Sequence, residues 1–221
     1  MFNLGNMDVM DILARTFILL LVMPLHEFSH AAMAVRLGDD TPIRQGRYTL
    51  NPRPHLSLVG SIALFFFGFG WANPVIVNPG NLKKPKRDMA IIAIMGPLSN
   101  VFAAFVLIIV IRVVIGIHAP VGFNDGVMTL NRILLLMVQI NLLLAAFNLL
   151  PIPPLDGSKV LGAFLPDRAY RMMDRYQGMM TIVLLLLLFT GQLMGVISSM
   201  IMWMMNMLWR ITSPIEFLFG L

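Results

Sequence analysis

Two histidines separated by three residues lie inside an apolar stretch of this chain. His26, Glu27 and His30 form the pattern His-Glu-x-x-His within residues 9–37. Residues four apart share one face of a helix, so both imidazoles can bind the same metal ion. The glutamate between them stands beside that ion, where it can take a proton from a water molecule. A buried charge in a membrane span costs about 2.5 kcal/mol or more, which favours a functional role for Glu27.

The third ligand of such a site must come from elsewhere in the chain. A catalytic zinc ion takes three protein ligands and keeps one position for water. Cysteine is absent, so the candidates are His55, His118, Asp156 and the acidic residues of the loops. The two further histidines lie in loops, where histidine is commonly exposed. Asp156 follows a proline-rich break at the end of an apolar stretch, where irregular backbone at membrane depth is tolerated if it lines a cavity. The sequence therefore favours Asp156.

The elements that must position these residues are membrane helices. Hydrophobic residues make up 58% of the 221 residues and charged residues only 12%, about half the charged fraction of a typical soluble domain. The apolar runs do not alternate with polar residues as the strands of a membrane barrel do. The composition therefore predicts an all-α, multi-pass integral membrane protein. We interpret residues 1–221 as a single membrane domain, with a core at about 9–165 and an apolar C-terminal segment at about 178–212.

The length of each apolar stretch predicts how the chain crosses the bilayer. Residues 9–37, 89–117 and 130–150 are each long enough for a transmembrane helix. The apolar C-terminal run at residues 178–209 has 32 residues, which is too long for one upright span and short for two, so it predicts one or two helices. The fold class is therefore a core of three transmembrane helices, a small membrane-embedded β or re-entrant segment, and one or two C-terminal helices.

The predicted β or re-entrant segment lies at residues 58–71, between the first two spans. A helix of about a dozen residues covers barely half of a hydrocarbon core of about 30 Å. Basic residues flank the segment on both sides, so it leaves and returns to the same face of the membrane. The consecutive Phe65, Phe66 and Phe67 and the nearby glycines favour an extended conformation.

The basic residues report the orientation of the chain. The formal net charge is +5, and the Lys and Arg residues concentrate in the loops at 36–53, 83–87 and 168–175, whereas the loop at 118–129 has none. In a membrane protein such a bias marks the cytoplasmic side. The pattern predicts an extracytoplasmic N-terminus and the lipid bilayer as a partner, and it does not indicate nucleic-acid binding.

Three motifs together resemble the site-2 proteases, a family of intramembrane zinc metallopeptidases. The first is His26-Glu27-x-x-His30, the second is Gly96-Pro-Leu-Ser-Asn100, and the third runs from Asn148 through Pro151-Ile-Pro-Pro-Leu to Asp156-Gly157. They occur in the family's order over roughly residues 10–165, and the third motif is far more specific than the first. The resemblance is to short bacterial and archaeal members, which have neither a PDZ domain nor a nucleotide-sensing domain. It implies location in a prokaryotic cell membrane.

The resemblance also implies roles for individual residues. His26, His30 and Asp156 would bind Zn²⁺, Glu27 would act as the general base, and Asn148 would bind substrate or stabilise the oxyanion. The substrate would be a transmembrane segment of another protein, whose peptide bonds must unwind before hydrolysis. Family members carry a membrane-embedded sheet, so we expect Phe65, Phe66 and Phe67 to lie in a substrate-binding strand.

A membrane metal-ion transporter is the alternative interpretation of the same ligands. Transporters also place His and Asp residues within spans, because such residues bind the transported ion. They typically contain two related halves, and the sequence shows no internal repeat. A transporter also has no need of a glutamate beside the metal.

Overall fold

The computed structural model describes residues 9–67, 70–120, 122–217 and 219. Within these ranges the chain is helical, and the one β pairing is an isolated antiparallel bridge between Leu56 and Ala72. A 3₁₀ turn at Pro79–Asn81 precedes the longest helix. The helices are α1 (Val9–Arg36), α2 (Thr41–Arg44), α3 (Pro52–His55), α4 (Leu58–Phe67), α5 (Pro85–His118), α6 (Asp125–Asn148), α7 (Asp156–Gly162), α8 (Asp167–Arg175), α9 (Gln177–Phe189), α10 (Met194–Thr212) and α11 (Pro214–Phe217).

Three of the described helices, α1, α5 and α6, are long and apolar enough to cross a membrane. The three-helix core is therefore confirmed. Helices α8 and α9 follow each other with a bend of 70° between them, and they would make a fourth span if the pair crosses the membrane as one unit. The C-terminal segment consists of two helices, α9 and α10. Gly191 lies in the turn between them with φ of 74°, a conformation that glycine adopts without steric cost.

The β conformation predicted for the segment at residues 58–71 is wrong, while its re-entrant course stays a prediction. Leu58–Phe67 is the ten-residue helix α4, while residues 68 and 69 and the Phe67 side chain lie outside the described part of the chain. A helix satisfies its backbone groups internally, whereas a strand in lipid needs a hydrogen-bonding neighbour. The apolar side chains of α4 add to this preference, since Phe65 and Leu64 pack against Leu19 and Met23 of α1.

The main core lies between α5 and α6, where helix α10 also packs. Small side chains at Ala104, Ala145 and Ala146 are fully buried. They let the two long helices approach closely, which is how membrane helices gain packing energy without a hydrophobic driving force. Larger residues such as Ile108, Val138 and Leu142 fill the space between them.

A buried arginine joins the C-terminal helices to this core. Arg112 of α5 donates from Nε to Thr212 Oγ1 at 2.8 Å and pairs with the Glu216 carboxylate. Its guanidinium also lies 4.5 Å from the ring centroid of Trp209. A charge inside a span is stabilised only when it is paired and hydrogen-bonded, so these contacts determine where α10 and α11 pack.

Helix α1 carries the histidine pair on the face that packs against α5. A π-helical turn at Ile18–Val22 precedes its second half, Met23–Arg36. Ala31 and Ala34 are fully buried there and allow close contact with α5. The helix ends before Gly38, whose φ of 108° suits glycine.

Candidate metal centre

His26 and His30 meet on one face of α1, as their spacing predicts. Their rings lie 4.7 Å apart between centroids at 84°, and the two Nε2 atoms are 3.1 Å apart. Both side chains are buried. Two imidazole nitrogens therefore point to one place within the membrane-spanning part of the helix.

Asp156 brings the third donor atom to the same place. Its Oδ2 lies 3.1 Å from Nε2 of His26 and 3.1 Å from Nε2 of His30. Lys159, one turn later on α7, has its Nζ 3.9 Å from the other carboxylate oxygen. The lysine therefore faces Oδ1 and leaves Oδ2 for the centre of the cluster.

The turn before Asp156 holds α7 tightly against the end of α6. A Cβ atom at Gly157 would lie 2.2 Å from the carbonyl oxygen of Leu149 and 2.5 Å from that of Leu150. Only glycine allows this approach. The glycine after the aspartate is thus what brings the carboxylate to the histidines.

The donor triangle matches the requirements of a metal ion. Within the described chain, His26, His30 and Asp156 form a group whose ligand atoms all lie within 4.8 Å of one another. Donors on a tetrahedral zinc ion with bonds of about 2.0–2.1 Å are about 3.3–3.4 Å apart, close to the 3.1 Å sides of this triangle. Two imidazoles and a carboxylate are also among the ligands that zinc takes in catalytic sites.

Gly96 of α5 leaves the space that a metal ion would need. A Cβ atom at this position would lie 2.5 Å from Nε2 of His30 and 2.6 Å from Nε2 of His26. Such distances are shorter than any real Cβ contact, so the space beside the donor triangle exists because residue 96 has no side chain. The residues present therefore fit a bound metal ion.

The outer nitrogens of both histidines also have partners. Nδ1 of His30 lies 2.8 Å from the carbonyl oxygen of Ile92, and Nδ1 of His26 lies 3.2 Å from Nδ2 of Asn100. Both partners belong to α5. Such outer contacts fix the ring orientation of metal-binding histidines.

Glu27 lies next to the donor triangle and lines the same cavity. One of its carboxylate oxygens accepts a hydrogen bond from the backbone N–H of Val75 at 2.9 Å. This contact fixes the position of the carboxylate but leaves its second oxygen for a water molecule. The Glu27 carboxylate is therefore held at the cavity wall with one oxygen outside this contact.

The cavity has a volume of about 570 Å³ and is mostly apolar. Helix α9 covers one side with Leu184, Leu185 and Leu188. Residues 70–78 run without regular secondary structure along another side. A polar centre with apolar walls suits an apolar peptide rather than a hydrated solute.

Several contacts fix residues 70–78 in place. The backbone N–H of Asn73 donates to the carbonyl oxygen of His55 at 2.7 Å, and that of Asn78 donates to Asp39 Oδ2 at 2.7 Å. Burial alone raises the pKa of Asp39, but hydrogen bonds from Thr41, Asn81 and Asn78 outweigh it and hold the pKa below its ordinary value of 3.8. Asp39 is therefore a charged anchor outside the spans that ties the end of α1 to this stretch.

Asn148 stands at the end of α6 and lines the cavity. Its Nδ2 donates to the carbonyl oxygen of Leu144 at 3.0 Å. An amide nitrogen carries two hydrogens, so one donor is left over for another acceptor. The structure brings Asn148 to the cavity wall, and its role stays a prediction.

Phe65 and Phe66 do not line the cavity. Phe65 packs against the apolar face of α1, and Phe66 is 50% exposed on the outer side of α4. The strand predicted for these residues is wrong, because α4 is a helix, and their role in substrate binding stays a prediction. The Phe67 side chain lies outside the described residues.

The two other histidines considered as ligands lie away from the donor triangle. His55 is fully buried, and its Nε2 lies 2.9 Å from the carbonyl oxygen of Thr49. The Nδ1 atom of His118 lies 2.9 Å from the carbonyl oxygen of Val114. Both contacts are local to loops or helix ends.

Sequence reasoning missed three features of this site. It named Gly96 and Asn100 only as parts of a motif, without placing either at the metal position, and it did not identify Val75 as the partner of Glu27. One signal was available for the last, since Pro74 and Pro79 rule out a helix and Val75-Ile76-Val77 favours an extended chain.

The sequence matches Peptidase family M50 over residues 14–191. It is 36% identical over 189 residues to "Putative zinc metalloprotease YwhC" of Bacillus subtilis, covering 85% of this chain and 83% of that protein. It is 28% identical over 192 residues to "Putative zinc metalloprotease Rip2" of Mycobacterium tuberculosis, covering 83% and 69%. "Putative zinc metalloprotease MJ0611" of Methanocaldococcus jannaschii is 33% identical over 136 residues, covering 62% of each chain. No solved structure matches the chain.

The family match and the geometry concern the same residues. The matched range contains all three donor residues, Glu27 and Asn148, and three of its helices can cross a membrane. The chain belongs to peptidase family M50.

Proposed function

We propose that this protein is an intramembrane zinc metalloprotease that hydrolyses peptide bonds in or near transmembrane segments of other proteins. The observation that carries the proposal is the convergence of His26, His30 and Asp156 beside Glu27, in a largely apolar cavity of a peptidase-family chain. The three residues are the zinc ligands in this proposal, and Glu27 is the general base. The relatives named as zinc metalloproteases support the choice of zinc.

In this proposal Glu27 transfers protons, and the three donor residues hold the zinc ion. A bound zinc ion would polarise the scissile carbonyl and lower the pKa of a water molecule. Glu27 takes a proton from that water with the carboxylate oxygen that Val75 leaves free, and later delivers it to the leaving amine. His26, His30 and Asp156 would hold the ion at the cavity wall, where Glu27 can reach the same water molecule.

We propose that Asn148 binds the substrate near the scissile bond. Its side chain borders the cavity, and the second hydrogen of Nδ2 can donate to a carbonyl oxygen that gains negative charge. An interhelical hydrogen bond is the competing role for an asparagine in a span. The hydrogen bond that Asn148 donates instead runs to Leu144 of the same helix, which supports a role towards the cavity.

The substrate is a membrane protein, because the cavity lies within the apolar helices. A transmembrane helix shields its peptide bonds by its own hydrogen bonds, so it must unwind locally before water attacks. The mostly apolar walls then receive its side chains. The bacterial and archaeal relatives support location in a prokaryotic cell membrane, and we propose that residues 1–221 work as one membrane domain.

The transporter alternative is not supported. The chain belongs to a peptidase family, and several relatives are named as metalloproteases. The position of Glu27 also argues against it, since a glutamate held by Val75 beside the donor triangle serves proton transfer.

Cleavage by purified protein tests the proposal. The wild-type protein and a Glu27→Gln variant are reconstituted in lipid vesicles with candidate single-span proteins, and products are identified by mass spectrometry. We expect the variant to retain zinc and to lose at least about 100-fold in rate, since a general base contributes about 10²–10⁴-fold. An Asp156→Ala variant should lose both zinc and cleavage. Unchanged cleavage by Glu27→Gln would overturn the mechanism.

A further inference from the structure

Asn100 is fully buried in α5, and its amide lies against the first histidine of the pair. Its Nδ2 is 3.2 Å from Nδ1 of His26. The Oδ1 atom of the same amide has no hydrogen-bond partner among the described residues. No hydrogen bond to Oδ1 therefore holds the amide in this orientation. Rotating the amide by half a turn would place Oδ1 instead of Nδ2 opposite Nδ1 of His26, and it would break no other hydrogen bond of the described residues.

The chemistry of imidazole decides which end of the amide must face His26. A neutral imidazole carries one hydrogen, on either Nδ1 or Nε2. When Asn100 Nδ2 donates to Nδ1, the hydrogen lies on Nε2, and that nitrogen cannot bind a metal ion. When Nε2 is the ligand, the hydrogen lies on Nδ1, and the facing group must accept it.

The tautomer of His30, the second histidine of the pair, is fixed by the backbone. Nδ1 of His30 faces the carbonyl oxygen of Ile92 at 2.8 Å. A carbonyl oxygen only accepts, so Nδ1 of His30 carries the hydrogen and its Nε2 is free to bind metal. The backbone thus fixes the tautomer of His30, whereas a side chain faces His26.

We propose that Asn100 is a positioning residue of the metal centre. In the metal-bound protein its Oδ1 accepts the hydrogen from Nδ1 of His26, which fixes that ring in the tautomer whose Nε2 binds the ion. This deepens the proposed function and rests on it, because it takes His26 as a zinc ligand. Outer hydrogen bonds of this kind raise ligand basicity, and losing one typically weakens metal binding 10–100-fold.

The competing explanation is that Asn100 only fills space between α1 and α5. Asn141 of α6 provides a matched control for it. Asn141 is also buried, at 1% exposure, its Nδ2 donates to the carbonyl oxygen of Met137 in its own helix, and its Oδ1 likewise has no described partner. The two asparagines share burial and residue type, and they differ in the contact with a metal-binding histidine.

Zinc affinity measured in detergent by competition with a chelator tests the proposal. We expect Asn100→Leu to bind zinc 10–100-fold more weakly than the wild type. Asn100→Asp keeps an acceptor opposite Nδ1 and should restore affinity to within about 3-fold of the wild type. Asn141→Leu should bind as the wild type does. Asn100→Ala replaces the leucine variant if the larger side chain prevents folding, which thermal unfolding of the metal-free proteins monitors.

The outcomes separate this inference from the proposed function. If folded Asn100→Leu or Asn100→Ala binds zinc as tightly as Asn141→Leu, the positioning role is overturned while the metal site stands. The role is also overturned if Asn100→Asp binds as weakly as Asn100→Leu, since an acceptor then makes no difference. If the wild type itself binds no zinc, the proposed function fails first.

Discussion

Replacing Gly96 with alanine adds a single methyl group at the place where the metal ion would bind. The added Cβ would lie 2.5 Å from Nε2 of His30 and 2.6 Å from Nε2 of His26. Ordinary contact begins at about 3.4 Å, so each nitrogen would have to retreat by about 0.8–0.9 Å. Metal–ligand distances tolerate changes of only about 0.2 Å. Both histidines would therefore leave the ligand positions together.

The size of the effect follows from the energy of a zinc site. Structural zinc sites bind with about 10–16 kcal/mol, which divides into roughly 3 kcal/mol for each of four ligands. Losing one ligand corresponds to about a 100-fold weaker affinity, at about 1.4 kcal/mol for each factor of ten. We expect Gly96→Ala to lose at least that much, although alanine favours a helix over glycine by about 1 kcal/mol.

Zinc content after purification and affinity by chelator competition measure this loss. Gly195→Ala is the matched control, because it makes the same substitution in helix α10, where a Cβ would meet nothing within 4 Å. The control should keep full zinc and full cleavage. Thermal unfolding of both metal-free proteins shows whether packing of α5 has changed. Wild-type zinc affinity in a folded Gly96→Ala protein would refute the assignment of the metal position.

Three further predictions concern the residues around the centre. Val75→Pro removes the N–H that holds Glu27, so we expect retained zinc and at least about 10-fold slower cleavage. The side chain of Ile76 is exposed, so Ile76→Pro should leave cleavage nearly unchanged. Equal effects of the two prolines would contradict this. The folded protein holds the pKa of Asp39 below its ordinary value of 3.8, so charged Asp39 stabilises the fold above pH 3.8. This contribution to the free energy of unfolding is lost as the pH falls through the lower pKa of the folded state. Thermal unfolding between pH 7 and pH 2 should show this loss in the wild type and not in Asp39→Asn. Asn148→Ala should keep zinc and slow turnover about 10–100-fold, if its amide contacts the substrate carbonyl; a variant that loses zinc instead would assign it to the metal site.

The convergence of His26, His30 and Asp156 could be predicted because it depends on local rules. Helical spacing alone places His26 and His30 on one side of α1, and a proline-rich break followed by Asp156 places a carboxylate at the end of α6. The three-helix core follows from the lengths of the apolar stretches. These predictions require no knowledge of how the helices are rotated against one another.

The helical state of residues 58–67 could not be predicted in the same way. β-favouring residues such as Phe65 and Phe66 indicated a strand, but propensity of that kind reflects packing in a sheet. No neighbouring strand is available in this part of the described chain, where the one pairing is the bridge between Leu56 and Ala72. In an apolar environment the backbone then satisfies itself as a helix.

The contact between Asn100 and His26 depends on the rotation of α5 about its axis, which the sequence does not specify. Gly96 and Asn100 lie four residues apart and therefore share one face of α5. A small residue and an amide on one face suit either close packing or a buried polar site, and only the partner helix decides between them. Once α1 packs there, the glycine opens space at Nε2 of His26 and the asparagine meets Nδ1 of the same ring. One face of α5 thus acts on both nitrogens of a single histidine, so the Gly96 and Asn100 variants should weaken zinc binding non-additively when combined.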